Sequence, residues 1–125
     1  LNIQELQTVK RNNLPLKLVI LNNQSLGMIR QFQDSYFDGR HQSTVWGYSA
    51  PDFEKVAAAY GIDAMTISDS DEIDNALSLL WKDPKAPFLL QVMIDPKANA
   101  YPKIAFGKPI TEMEPFAKSL DMDGT

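Results

Sequence analysis

The residues best equipped for chemistry are four in a row, Asn22-Asn23-Gln24-Ser25. They bring side-chain amide oxygens, backbone carbonyls and N–H groups together at one point. That set suits a polar ligand. They follow Leu18–Leu21, a continuous apolar run too short for a helix and fit for a strand buried on both faces. A helical pattern follows them. Ligands of open α/β sheets bind outside the carboxyl ends of the strands, which is where such a stretch would stand. The same residues also make an ordinary turn, because Asn tolerates left-handed dihedrals. The pair alone leaves both readings open.

The elements that must position this stretch are legible in order. Ile3, Leu6 and Val9 recur at helical spacing over residues 1–13, and Asn12, Asn13 and Pro15 end that helix. The strand 16–21 comes next. A second helix is expected from Ser25, as its cap, to about Phe37, with Met28, Ile29, Phe32 and Tyr36 on one side. Residues 38–50 read as a loop. Pro51 opens a third helix whose stripe is Phe53, Val56, Ala57 and Tyr60, closed by Gly61. A short strand spans Ile62–Ile67. Ser68–Glu72 supplies caps and acidic first-turn residues for a helix carrying Ile73, Ala76, Leu77 and Leu80. Phe88–Ile94 is a second strongly apolar strand. Strands alternating with helices predict an α/β fold, a mostly parallel sheet with helices on its faces. Residues 95–125 lack a period and read as an arm or tail, with a short turn near Met113.

Composition bounds the function. The chain has 125 residues, 44% hydrophobic and 22% charged, as an ordinary globular domain does. Its net charge is −4 and its pI about 4.8, so no basic surplus serves nucleic acid or an anionic membrane. Cysteine is absent, which excludes disulfides, thiolate catalysis and cysteine metal sites. No apolar segment is long enough to span a bilayer and no signal peptide is visible, so a cytoplasmic setting is expected. The first residue is Leu and the chain opens directly in a helical pattern, as a piece of a longer chain would.

Asn2–Thr8, Asn13-Leu14-Pro15, Leu21-Asn22-Asn23 and Gly27-Met28-Ile29-Arg30-Gln31 together resemble the C-terminal domain of thiamine diphosphate-dependent enzymes, in the acetolactate synthase-like branch. The resemblance covers roughly residues 1–96, a diphosphate-binding domain with a doubly wound parallel sheet; 97–125 would be its arm. The family motif opens with Gly-Asp-Gly, expected shortly before Leu1, and closes with Asn22-Asn23. The resemblance implies that Asn23 gives its side-chain oxygen and Ser25 its backbone carbonyl to Mg²⁺, while Gln24, Leu26, Gly27 and Met28 complete the cofactor-binding stretch. Magnesium wants about six oxygens, and two protein ligands here, an upstream aspartate, diphosphate and water would supply them. A helix beginning near Ser25 would point its positive end at the diphosphate.

The implied reaction is decarboxylation of a 2-keto acid followed by carboligation, with the hard chemistry carried by the cofactor. The activating glutamate of this family comes from another domain across a subunit interface. The expected partners are therefore other domains and a second copy of the parent chain, and these residues alone are expected to be inactive. Glu5, Glu54, Glu72, Glu112 and Glu114 read as helix-surface or tail charges. Whether a flavin is bound elsewhere is not legible. The alternatives are a simple 2-keto acid decarboxylase, or a non-catalytic α/β binding module that kept the fold.

Met28 and Phe32 match positions that line the substrate side of the cofactor in acetolactate synthases. The latter is usually Trp, so Phe32 keeps a ring and loses the indole N–H, which bears on acetolactate specificity. Both residues also suit a helix burying its apolar face. Arg30 and Gln31 are their hydrophilic neighbours; Arg30 reads as a surface ion pair, with a substrate carboxylate as the sharper role. His41, the only histidine, sits in the loop and reads as solvent-exposed. Trp46, Tyr48, Tyr101, Phe106 and Gly107 suit anchoring or an interface. The run Tyr101–Pro109 departs from acetolactate synthases and looks more like relatives whose substrates are less settled.

Overall fold

The computed structural model describes residues 2–104 and 107–114. They form two compact units. One holds the residues up to Asn22 together with Ala50–Ile94, and the other holds Asn23–Ser49 with the residues from Asp95 onward.

The first unit is a three-stranded parallel sheet with helices on both faces. Its strands are β1 (Lys17–Asn22), β2 (Asp63–Ile67) and β3 (Phe88–Met93), in the order β1-β3-β2. Leu18 pairs with Leu89 and Ala64 pairs with Leu89 from the other side, so all three strands present the same face in register. That face carries α1 (Glu5–Arg11) and α3 (Phe53–Ala59), whose Leu6, Val9 and Ala57 pack with Ile62 and Leu89. The opposite face carries α4 (Ile73–Leu80), with Ala76 and Leu80 packed on Ile67 and Leu90.

Local chemistry explains the boundaries. Asn13 takes a positive φ of 46° just past α1, and Gly61 takes 70° just past α3. Asp69 and Glu72 form a capping box over Ser70–Glu72, a short 3₁₀ turn leading into α4. Pro51 lies outside α3, contrary to expectation, because Asp52 is the cap: its carboxylate accepts the Lys55 N–H at 3.2 Å. The Lys55 ammonium bonded to Asp52, and then the Lys55 backbone N–H, hold that carboxyl below the usual carboxylate range. A carboxyl depressed in the folded state stabilises above its unfolded pKa, and the contribution is lost as pH falls through the folded one. Asp52→Ala is therefore expected to lower the denaturation midpoint at neutral pH, with the gap to wild type closing on acidification. A gap independent of pH would refute the cap's ionic character.

One expectation fails here. β1 is not buried on both faces: Val19 is 52% exposed and Leu21 64%. The strand lies at the edge of the order, and α4 packs over β2 and β3 beside it. Ile73 and Leu77 of the predicted α4 stripe are likewise exposed, while Ala76 and Leu80 carry the packing.

The α3 side of the sheet also holds a buried polar network that the apolar reading of residues 88–94 passes over. Gln91 is buried in the central strand. Its Oε1 accepts from Asn22 Nδ2 at 3.1 Å and from the Phe53 N–H at 3.2 Å. Its Nε2 donates to Thr66 Oγ1 at 3.0 Å. One amide thus joins all three strands to the start of α3.

The second unit is built on α2 (Gly27–Tyr36), the loop after it and a two-strand ladder, β4 (Lys103–Ile104) with β5 (Met113–Glu114). A 3₁₀ turn, Ile110–Glu112, adjoins Met113 where the sequence predicts a turn. Phe106 and residues 115–125 lie outside the described residues.

Candidate diphosphate-binding turn

The turn that follows β1 in the chain is shaped by its own side chains. Asn23 Oδ1 accepts the Ser25 N–H at 3.2 Å, an Asx turn. Gln24 is forced to a positive φ of 56°, which an L-residue adopts only when its surroundings over-determine it. The Leu26 N–H donates to the Thr44 carbonyl at 3.1 Å, and buried Thr44 bonds Gln33 at 2.5 Å. The 38–50 loop is thereby fastened to the helix it follows.

Ser25 is not the cap expected of it. The helix begins at Gly27, and Leu26, which cannot cap, precedes it. Ser25 instead turns inward, 7% exposed, and its Oγ has no hydrogen-bond partner among the described residues. A buried hydroxyl left unbonded costs about 1–3 kcal/mol, so this oxygen has capacity for a further partner. Gly27 shows the same tightness. A Cβ placed there would collide with Asn23 Nδ2. The amide of Asn23 thus lies against the first residue of α2, beside N–H groups that have no intrahelical acceptor. Asn23, Gln24, Ser25, Leu26, Gly27 and Met28 therefore form one cradle of amide oxygen, hydroxyl and helix amino end. These donors fit a diphosphate and an oxygen-loving cation.

The described residues hold no cluster of three or more His, Asp or Glu side chains able to grip a metal alone. An ion in this cradle would need oxygens from its ligand and from elsewhere. A cavity of about 710 Å³ is lined instead by Lys17, Asp63 and Phe88, the first residues of the three strands. It sits at the amino end of the sheet, the wrong end for ligands of this architecture. There Lys17 Nζ ties down the carbonyls of Asp83 (2.6 Å) and Ala86 (2.5 Å), a structural duty.

The helix after the cradle turns its apolar side outward. Met28 is 68% exposed, and Ile29, Phe32 and Tyr36 are exposed too. Arg30 and Gln31 are buried. Arg30 does form an ion pair, with Asp34 at 2.6 Å, but an inward one; its Nη2 is taken by residues 97–99, while its Nε is buried with no partner among the described residues. His41 is partly buried rather than free, with Nε2 2.5 Å from Asp34 Oδ1. It faces no candidate ligand residue of the cradle. Met28 and Phe32, by contrast, share one open cleft on α2.

Residues 1–92 match the model of the thiamine pyrophosphate enzyme C-terminal domain, the TPP-binding domain. The chain belongs to that family. Among curated relatives, this thiamine diphosphate-binding domain is 42% identical to the acetolactate synthase isozyme 2 large subunit of Escherichia coli K12, over 90% of its own length and 20% of that protein's. It is 37% identical to the acetolactate synthase large subunit of Pyropia yezoensis, over 94% of this chain and 20% of that one. The domain thus spans about a fifth of these relatives. A Rhodococcus jostii RHA1 thiamine diphosphate-dependent 4-hydroxybenzoylformate decarboxylase superposes with a TM-score of 0.63 at 23% identity, covering 74% of this chain and 17% of that one. This last likeness concerns the fold. No helix among the described residues is long and apolar enough to cross a membrane.

Proposed function

We propose that this domain holds the diphosphate and magnesium of a thiamine diphosphate-dependent 2-keto acid decarboxylase/carboligase of acetolactate synthase type. The carrying observation is the turn itself, with the Asn23 amide wedged against Gly27 and the Ser25 hydroxyl buried and unbonded. Asn23 Oδ1 and the Ser25 backbone carbonyl are the metal's ligands from this chain. A neutral amide suits that place, because the metal and one aspartate already offset much of the diphosphate charge. The first turn of α2 presents N–H groups to the phosphates. Met28 and Phe32 face the keto acid. When bound, thiamine diphosphate supplies the carbon nucleophile and the electron sink.

Residues 1–96 form the binding domain in this reading, and 97–125 the arm. The substrate is a small 2-keto acid, the partners are other domains and a second copy of the parent chain, and the setting is the cytoplasm.

Calorimetric titration of thiamine diphosphate into the full-length protein, with magnesium and then with chelator, tests the reading. Magnesium-dependent binding is expected. No binding in either condition would move the function to a non-catalytic α/β module. A screen of 2-keto acids for carbon dioxide release and carboligation then separates a carboligase from a simple decarboxylase.

Two variants assign the ligand. Asn23→Ala is expected to weaken magnesium-dependent binding by about tenfold or more, or ~1.4 kcal/mol, with little change in unfolding. Asn22→Ala is expected to cost stability instead, because Asn22 is committed to Gln91. Equal losses of affinity, or the reverse order, would overturn the assignment.

Ser25→Ala gives an independent check. Removing an unpartnered hydroxyl is expected to leave the ligand-free stability unchanged or raised by up to about 1 kcal/mol, while affinity for the diphosphate falls several-fold. A destabilised protein with intact affinity would show that the hydroxyl serves the fold.

A further inference from the structure

We infer that Arg30 and Gln31 are positioning residues for the substrate: they clasp residues 97–100 to α2 and so set the second wall, Lys103–Ile104, of the cleft at Met28 and Phe32. The inference rests on the reading of Met28 and Phe32 as the substrate face.

The observation behind it is an inversion. An amphipathic helix normally turns its apolar stripe inward. α2 buries Arg30, 5% exposed, and Gln31, 6% exposed, and leaves Met28 and Ile29 more than half exposed. Both buried side chains are spent on one short segment. Arg30 Nη2 lies 3.0 Å from the Lys97 carbonyl, 3.0 Å from the Ala98 carbonyl and 2.6 Å from Asn99 Oδ1. Its Nη1 is held by Asp34, which aims the guanidinium. Gln31 binds Ala100 twice: Nε2 donates to the Ala100 carbonyl at 3.1 Å, and Oε1 accepts the Ala100 N–H at 3.0 Å. An extended strand would satisfy Ala100 in the same way.

Such bonds do what apolar packing cannot. Burial of apolar surface is non-directional and tolerates sliding. Paired donors and acceptors on consecutive backbone groups fix register and separation. The fixed segment runs directly into β4, and Lys103 Nζ adds a contact to Ser35 Oγ at 3.3 Å. Between α2 and β4 lies a cleft of about 90 Å³, whose walls are Met28, Gln31, Phe32, Ser35 and Tyr36 on one side and Lys103 and Ile104 on the other, so Gln31→Glu, which keeps the side chain's bulk in that wall, is the variant that separates the clasp from the lining. The cleft is small, and a short alkyl group is what it is expected to seat. Ile104, half exposed, stands in that wall, where its bulk would limit the length of that group. The clasp touches none of the diphosphate cradle, so loosening it should alter substrate discrimination while cofactor binding stands.

The test uses the full-length enzyme and a straight-chain series of pyruvate, 2-ketobutyrate and 2-ketovalerate, reading kcat and KM by carbon dioxide release. Gln31→Ala is expected to raise KM for the preferred acid roughly tenfold, to lower kcat by no more than about threefold, and to flatten the chain-length preference. Gln31→Glu should fall between, since its carboxylate still accepts the Ala100 N–H. Ile104→Ala, at an exposed site that does not threaten folding, should shift preference toward the longer acid. Thiamine diphosphate affinity by calorimetry should stay within about twofold in all three.

An unchanged chain-length preference in Gln31→Ala and Ile104→Ala, with Met28→Ala and Phe32→Ala altering KM, overturns this inference alone. Losses in Gln31→Ala that track cofactor affinity also overturn it, reducing the clasp to a structural role. If Met28→Ala and Phe32→Ala leave KM and preference unmoved as well, the cleft is not the substrate's, and the reading of the substrate face falls with the inference.

Discussion

Gln91→Leu is expected to destabilise the fold by about 2–4 kcal/mol, although leucine matches the apolar strand better than glutamine does. The substitution keeps the volume and removes the amide. It removes the acceptor that Asn22 Nδ2 and the Phe53 N–H share, and deprives Thr66 Oγ1 of its donor. A buried donor left without a partner costs about 1–3 kcal/mol, while the gain from an added apolar side chain is at most comparable to one such loss. Losing an acceptor shared by two donors therefore outweighs it. The threonine hydroxyl can rotate to another acceptor and contributes least.

Chemical denaturation of wild type and variant, compared at unchanged slope, measures the effect. A double-mutant comparison identifies its cause. Asn22→Leu should cost much less in the Gln91→Leu background than in wild type, because both partners of one bond are then gone. Additive losses would mean that the bond carries nothing, and an unchanged midpoint in Gln91→Leu would show that the network is ornamental.

The same residue shows where sequence reading stops. The alternation of helices and strands was legible, because apolar periodicity and caps such as Asp69 with Glu72 are local. The parallel sheet followed from that alternation. Gln91 stood in plain view as the one polar residue in an apolar run. Its partners, however, lie 69, 38 and 25 residues away, and no window holds them together. Val19 and Leu21 misled for a related reason: an apolar run announces burial without saying whether a helix lies over it. Arg30 and Gln31 misled most. A helix with Met, Ile, Phe and Tyr on one side reads as burying that side, and only the contacts of residues 97–100 with the other side reverse it. The stretch 23–28 was singled out by the family resemblance. Its geometry was not, since neither the unbonded Ser25 hydroxyl nor the contact of Asn23 with Gly27 has a signature in residue types.

That contact carries the second large expectation, Gly27→Ala. By propensity alone the change should help. Gly27 is helical, and alanine there restricts the unfolded chain and favours α2, worth up to about 1 kcal/mol in a helix interior and less in a first turn. Space argues the other way, because the new methyl lands on Asn23 Nδ2. What it strikes is the far end of a short side chain rather than backbone, so the fold gives way cheaply. Asn23 rotates out, its 3.2 Å bond to the Ser25 N–H is lost, and the oxygen assigned to the metal leaves its place. The two readouts should therefore separate. Unfolding of the ligand-free protein should be unchanged or slightly improved, while magnesium-dependent affinity for thiamine diphosphate falls by about tenfold or more, ~1.4 kcal/mol or beyond. Adding Asn23→Ala to Gly27→Ala should then cost little further affinity, since the displaced oxygen was already gone. A Gly27→Ala protein that binds the cofactor as wild type does would leave Asn23 as a turn-former and nothing more. One that loses affinity and stability together would show that the methyl distorts the start of α2 itself.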